Sequence, residues 1–198
     1  MAQYFDNIEI ASPKTYEYAL TLGDRHFLLR STSGTFSKEG LDDGSRLLLE
    51  TIFQTNLGED ILDLGCGTGP IGLILAATDP KRHLTLSDVN LRALDTAKCN
   101  AEALQVTKQV KIVNSDVYRS IDSTFDTIVS NPPIRAGKKV TYAIYDGAPS
   151  HLKEHGRLII VIRRKQGADS VQAHLLTLFN KVEVLASHKG YRVISANN

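Results

Sequence analysis

The sequence predicts an α/β protein: a mostly parallel, seven-stranded sheet with helices on both faces and an N-terminal β-hairpin extension. Three observations carry that expectation. From residue 60 onward, apolar runs of strand length alternate with longer segments of helical periodicity, a pattern that calls for crossover connections and parallel strands. Residues 61–72, Ile-Leu-Asp-Leu-Gly-Cys-Gly-Thr-Gly-Pro-Ile-Gly, read as strand, glycine turn and helix start, the first crossing of a nucleotide-binding unit. The last two strand-like runs, 181–187 and 191–196, flank His188-Lys189-Gly190. The sheet should therefore finish in a hairpin, with one edge strand antiparallel.

Taken in order, residues 1–14 show no clear pattern and read as an arm. Tyr16 to Leu22 and His26 to Arg30 are rich in strand formers around Gly23-Asp24-Arg25, which predicts the hairpin. Ser31 to Gly34 is a small, polar link. Asp42 and Asp43 stand at a helix-cap position ahead of Leu47, Leu48, Thr51 and Ile52, which recur at helical spacing. Strands are expected over 60–64, 83–88, 109–113, 125–130 and 157–163, and helices over 69–77, 90–104, 138–154 and 167–178. Pro149 removes a hydrogen bond within the 138–154 segment and should kink or break that helix. No repeat or low-complexity linker divides the chain. The expected organisation is a single domain over 1–198, in which an arm, hairpin and helix (1–58) precede the core (59–198).

A hydrophobic content of 42% and a charged content of 23% are ordinary globular values, which argues against wholesale disorder. The first residues lack the basic and apolar regions of a secretion signal, and no apolar run approaches the roughly 20 residues that span a bilayer. Cys66 and Cys99 have no metal-ligand spacing and read as thiols in a reducing cytoplasm. The net charge of +1 hides an asymmetry. Residues 131–198 carry 11 Lys/Arg against 4 Asp/Glu, whereas residues 1–130 carry 12 against 18. A basic C-terminal third suits a polyanionic partner such as RNA, although scattered solubilising charge gives the same count.

Residues with chemistry gather at the carboxyl ends of the strands, where open α/β sheets bind ligands. Gly65, Gly67 and Gly69 admit positive φ and let the backbone approach a ligand, and the helix behind them offers free N–H groups. Gly67-Thr-Gly69-Pro-Ile-Gly72 fits a dinucleotide fingerprint as well as a methyltransferase turn, so the glycines leave NAD(P) and S-adenosyl-L-methionine (SAM) both open. Asp63 can face a cationic ligand group such as the SAM amine, or else stabilise the glycine turn. Asp88, ending Leu84-Thr-Leu-Ser-Asp, can accept from a ribose diol in either cofactor. Asp116 can accept from an adenine amine, although Asn-Ser-Asp is also ordinary turn chemistry. Asn131-Pro132-Pro133 decides the class. An Asn side-chain oxygen and the Pro132 carbonyl can each accept one hydrogen of a planar NH₂ group and aim its lone pair at an electrophile.

With those residues in place, 61–131 resembles the class I SAM-dependent methyltransferases, a Rossmann-like fold in which Asn-Pro-Pro marks enzymes acting on amino nitrogens. The segments Gly34 to Leu49, Asn131-Pro-Pro-Ile-Arg-Ala-Gly-Lys138 and Gly190-Tyr-Arg-Val193 narrow the resemblance to the methyltransferase small domain group, with its RsmC-type enzymes. The resemblance implies methylation of guanine N2 in 16S rRNA, with ribosomal RNA or the small ribosomal subunit as partner. It implies no metal and no membrane. SAM would be held by Asp63, Gly65, Cys66, Gly67, Gly69, Asp88, Val89, Asp116, Val117 and Asn131. Phe36, Ser37, Ile134, Arg135 and Lys138 are the expected substrate contacts, with Lys38, Lys139, Arg163, Arg164 and Lys165 as further phosphate candidates. RsmC-type enzymes often carry an additional N-terminal domain of similar fold that is not expected in this sequence, so RNA selection is expected to rest on the single domain of residues 1–198 or on a partner. Related enzymes place an aromatic residue after Asn-Pro-Pro to stack on the target, whereas Ile134 stands here and Arg135 is the candidate to stack instead. Methylation of a protein glutamine amide is the alternative within the class, and a NAD(P) oxidoreductase the alternative outside it.

Overall fold

The structure is a computed structural model in which residues 14–33, 40–53 and 55–198 are described. The hairpin forms from β1 (Thr15–Leu22) and β2 (Arg25–Thr32). Helix α1 (Asp43–Ile52) follows, with Asp42 as its N-cap: the Asp42 carboxylate accepts from the Gly44 and Ser45 backbone N–H groups at 2.9 and 3.1 Å, which satisfies two orphan donors of the first turn. The core then alternates β3 (Asp60–Leu64), α2 (Pro70–Thr78), β4 (His83–Asp88), α3 (Leu91–Ala103), β5 (Val110–Asn114) and β6 (Phe125–Ser130). It ends with α4 (Lys138–His151), β7 (Leu152–Arg163), α5 (Ala168–Leu175), β8 (Lys181–His188) and β9 (Tyr191–Asn197).

The seven core strands pair in the order β5-β4-β3-β6-β7-β9-β8. All run parallel except β9, which is antiparallel to both neighbours. The antiparallel strand is therefore inserted one place in from the edge, rather than at the edge as the sequence suggests. Burial explains the choice. Val193, Ile194, Ser195 and Ala196 of β9 are buried, whereas β8 is mostly exposed and carries a register shift at Val184/Ala186. A bulged strand flanked by charge is the safer occupant of an open edge.

Side chains of the central strands alternate between two apolar layers, as the two-residue period of a strand dictates. Ile61, Val129, Ile159 and Val161 pack with the hairpin, α1, α2 and α3. Leu62, Ile128, Leu158 and Ile160 pack with α4 and α5. The hairpin is fastened to α3 by Asn100, which accepts from the Arg30 N–H at 2.8 Å and donates to the Arg30 and Thr68 carbonyls at 3.0 Å. One side chain thus ties the extension to the glycine turn. Helix α4 runs through Pro149 for two residues and stops at His151, so the proline closes the helix within its last turn. The chain enters β7 five residues earlier than the apolar run suggests, through a segment irregular enough to hold His155 at φ 63° and to leave no room for a Cβ at Gly156.

Candidate functional site

The order β4-β3-β6 places a topological switch at the carboxyl end of β3, which is where ligands enter such sheets. After Leu64 the turn is pinned to β4: Gly65 and Cys66 donate from their backbone N–H groups to the Ser87 carbonyl at 2.8 and 3.0 Å, and Gly67 donates to the Asp88 carboxylate at 2.8 Å. Gly65 and Gly67 have φ of 75° and 57°, and a Cβ on either would meet nothing within 4 Å. Their Cβ side is open to a ligand. Gly69 and Gly72 differ, because a Cβ on either would come within 2.8 Å of a Leu86 methyl. The first pair serves approach and the second serves packing.

Beneath the turn, Asp63 is 1% exposed and accepts from the Gly72 N–H at 2.8 Å. Burial pushes its carboxyl up to about 7; the Gly72 N–H opposes that shift and the Asp88 charge adds to it. Burial likewise raises Asp88, against the N–H groups of Asn90, Gly67 and Val89. Two carboxylates short of compensating charge, one buried and one at the rim, favour a cation between or beside them. Burial, with both acids nearby, pushes the Cys66 thiol well up, so it packs as a neutral side chain. Farther along the same edge, Asn114 donates to the Asp88 and Val89 carbonyls at 3.1 Å. Asp116 is exposed, and Val117 is held at φ 52° in a turn stapled by Ser115, which donates to the Val117 carbonyl and accepts from the Ser120 N–H.

At the other side of β3, Ser130 donates to the Leu64 carbonyl at 2.7 Å and draws the end of β6 against the glycine turn. The next residue, Asn131, donates its amide nitrogen to the Ser45 hydroxyl at 2.8 Å, with the Asp42 carboxylate oxygens at 3.3 and 3.4 Å. Its NH₂ group is therefore committed to α1, and its remaining polar atom is the acceptor Oδ1. Pro133 adopts φ −74° and ψ 79°, an inverse γ-turn, and the Pro132 carbonyl accepts from the Ile134 N–H at 2.8 Å. That oxygen keeps one lone pair. Asn131, Pro132 and Ile134 line a cavity of about 130 Å³ with Asp42, Val161, Ile162, Arg163, Gln166 and Tyr191.

Residues 26–195 match the family described as methyltransferase small domain. The chain belongs to that family. The enzyme is accordingly a SAM-dependent methyltransferase, which removes the NAD(P) alternative that the glycine turn left open. It is 45% identical over 181 residues to the uncharacterized protein YbxB of Bacillus subtilis, covering 90% of each chain. It is 36% identical over 148 residues to the ribosomal RNA small subunit methyltransferase C of Vibrio parahaemolyticus, covering 73% of this chain and 42% of that one. Its fold is similar to that of the T. thermophilus 16S rRNA N2 methyltransferase RsmC in complex with AdoMet and guanosine, with a TM-score of 0.82, 24% identity, and coverage of 93% and 50%. The chain thus spans half or less of the length of these two methyltransferases.

The methyltransferase's own residues fit a SAM-sized cation. The glycine turn is open on its Cβ side, a buried acid lies beneath it, and a second acid stands at the end of β4. Of the expected cofactor contacts, Asp63, Gly65, Cys66, Gly67, Gly69, Asp88, Val89 and Asn131 gather around the ends of β3, β4 and β6, while Asp116 and Val117 follow β5. Asp63 braces the turn through Gly72, and its buried carboxylate lies under the crevice. Ile134 lines the cavity, and Lys138 is exposed at the start of α4. Phe36, Ser37 and Lys38 lie outside the described residues, as does the Arg135 side chain. Sequence reasoning missed Ser45, Ser130 and Tyr191, and saw Asp42 only as a helix cap. The Ser45–Asn131 contact joins residues 86 apart, and no local pattern announces it.

Proposed function

We propose that this methyltransferase transfers a methyl group to an exocyclic amine of an RNA base, specifically guanine N2 of small-subunit (16S) rRNA, in the cytoplasm. The observation that carries the reading is the fixed carboxamide of Asn131. With its NH₂ group held by Ser45 and Asp42, it offers only an acceptor to the cavity. Oδ1 and the free lone pair of the Pro132 carbonyl take the two hydrogens of a planar amine and orient the nitrogen lone pair. The Asp42 carboxylate polarises the Asn131 amide and strengthens Oδ1 as an acceptor.

When bound, SAM supplies an electrophilic methyl on a sulfonium sulfur. Asp63 and Asp88 neutralise and orient that cation, and the glycine turn allows close approach. The chain's remaining contribution is positioning and exclusion of water, since an amine becomes acidic as it is alkylated and needs no strong base. Lys138, Lys139, Arg164 and Lys165 are exposed on the same rim, with no ion-pair partner among the described residues. Lys138 and Lys139 also open α4, where cations oppose the helix dipole. An RNA phosphate relieves both conditions, and the RNA substrates named for the RsmC relatives agree with it.

The test is incubation with methyl-labelled SAM, using deproteinised rRNA and intact 30S particles, followed by mass identification of the modified nucleoside. We expect N2-methylguanosine. Label in a protein glutamine with none in RNA would overturn the proposal in favour of the amide alternative.

A further inference from the structure

The cavity beside Asn131 has one wall that the reading above does not use. Arg163 closes β7 and Tyr191 opens β9, and the two are direct cross-strand partners, so their side chains share one face of the sheet. The Arg163 guanidinium carbon lies 5.1 Å from the centroid of the Tyr191 ring. The ring is itself wedged, because a Cβ on Gly44 would come within 2.9 Å of it. The first turn of α1, which also holds Asn131, therefore fixes the ring that carries Arg163. No carboxylate pairs with Arg163 among the described residues. Both side chains line the same 130 Å³ cavity as Asn131, Pro132 and Ile134.

A guanidinium carried on an aromatic ring and free of a competing carboxylate presents a plane as well as a charge, and such planes stack on nucleobases. Ile134 has no π face to offer. We propose that Arg163, positioned by Tyr191, packs against the target purine and supplies the stacking wall of the base pocket. This rests on the reading that Asn131 and Pro132 hold the target amine. Arg163 is then a base contact rather than one more phosphate contact on the basic rim. Tyr191 is a positioning residue whose ring, not its hydroxyl, carries the effect.

The test measures guanosine binding in the presence of S-adenosylhomocysteine by calorimetry, together with kcat and KM on the rRNA substrate. Arg163→Ala should weaken guanosine binding about tenfold or more, the range expected for a lost stacking partner, with SAM affinity within about twofold of wild type. Arg163→Lys should not restore it, because an ammonium has no plane. Tyr191→Leu should weaken binding severalfold, and Tyr191→Phe should recover most of that loss. The proposal is overturned if Arg163→Ala binds guanosine like wild type while Asn131→Ala does not, a result that leaves the amine reading intact. It is also overturned if Arg163→Lys restores full function and Arg163→Ala acts only through the salt dependence of RNA affinity, the signature of a phosphate contact. A wild-type enzyme that neither binds guanosine nor methylates RNA removes both readings together.

Discussion

Ionising Asp63 in its buried position, where its carboxyl is raised from 3.8 to about 7, costs on the order of 4 kcal/mol, a sizeable part of the 5–15 kcal/mol that holds a domain together. The sign follows from linkage. A carboxyl whose folded pKa is raised stabilises the fold least when it is ionised, so stability should fall as pH rises from about 4 to 7 and level off above that. SAM brings positive charge to the same place and favours the ionised form. Its affinity should therefore rise through pH 7, with proton release on binding measurable by calorimetry in buffers of different ionisation enthalpy. Asp63→Asn keeps an acceptor for the Gly72 N–H and removes the charge. It should melt at a higher temperature than wild type at pH 8 and bind SAM at least tenfold more weakly, with a flat pH profile. A variant that loses stability at pH 8 yet binds SAM like wild type would show that the carboxylate braces the turn and does nothing else. Asp42 allows a second separation of roles, since it caps α1 and contacts Asn131. Asp42→Asn preserves a good cap residue, so the melting temperature should hold while kcat falls about tenfold or more; an unchanged kcat would remove polarisation of Asn131 from the mechanism.

Among the elements, the glycine turn separates ligand approach from packing, and substitutions should separate them too. Gly72→Ala drives a methyl to within 2.8 Å of Leu86 and 3.1 Å of the Asp63 carboxylate. It should lower the melting temperature by about 2–12 °C, as overpacking by about 1–3 kcal/mol does in a chain of this size. Gly67→Ala meets nothing in the protein but sits at φ 57°, a left-handed conformation costing about 1–2 kcal/mol for an L-residue. It should melt closer to wild type yet lose SAM affinity more than Gly72→Ala does, which paired thermal scans and SAM titrations would read directly. Much of this element was legible in the sequence, because strand, turn and helix signals are local and residues 61–72 contain all of them. The β8–β9 insertion was not legible. Local patterning marks both strands, but the choice of the edge depends on which one finds an apolar partner in β7. Asn131 was legible as a motif, whereas its orientation depends on Ser45 from α1 and so on the completed fold.

At the scale of the whole molecule, part of the basic C-terminal third of the sequence stands beside the Asn131 cavity. Some cations away from the cavity are matched: Lys153 bridges Asp60 and Asp126 at the amino ends of β3 and β6, and Lys181 pairs with Glu183; others, such as Lys108, Lys111 and Arg157, have no ion-pair partner among the described residues. On the rim beyond β6 and β7, Lys138, Lys139, Arg164 and Lys165 have no such partners among the described residues. Matched charges contribute little to long-range attraction, while an unmatched cluster beside the cavity raises the local concentration of a polyanion. If RNA docks there, neutralising each phosphate releases counterions, and log affinity falls with log salt by about 0.7–0.9 per contact. Alanine at all four positions should weaken RNA binding to a similar degree across unrelated sequences and flatten that slope by about 3, provided each residue makes one contact. Lys153→Ala should leave the slope unchanged and lower the melting temperature instead, because it strips the partner from two carboxylates. Filter binding over a salt series, beside thermal scans, distinguishes the two. Equal slopes in the fourfold variant and wild type would mean that these residues are solvated surface charge, and that RNA reaches the Asn131 cavity by some other face.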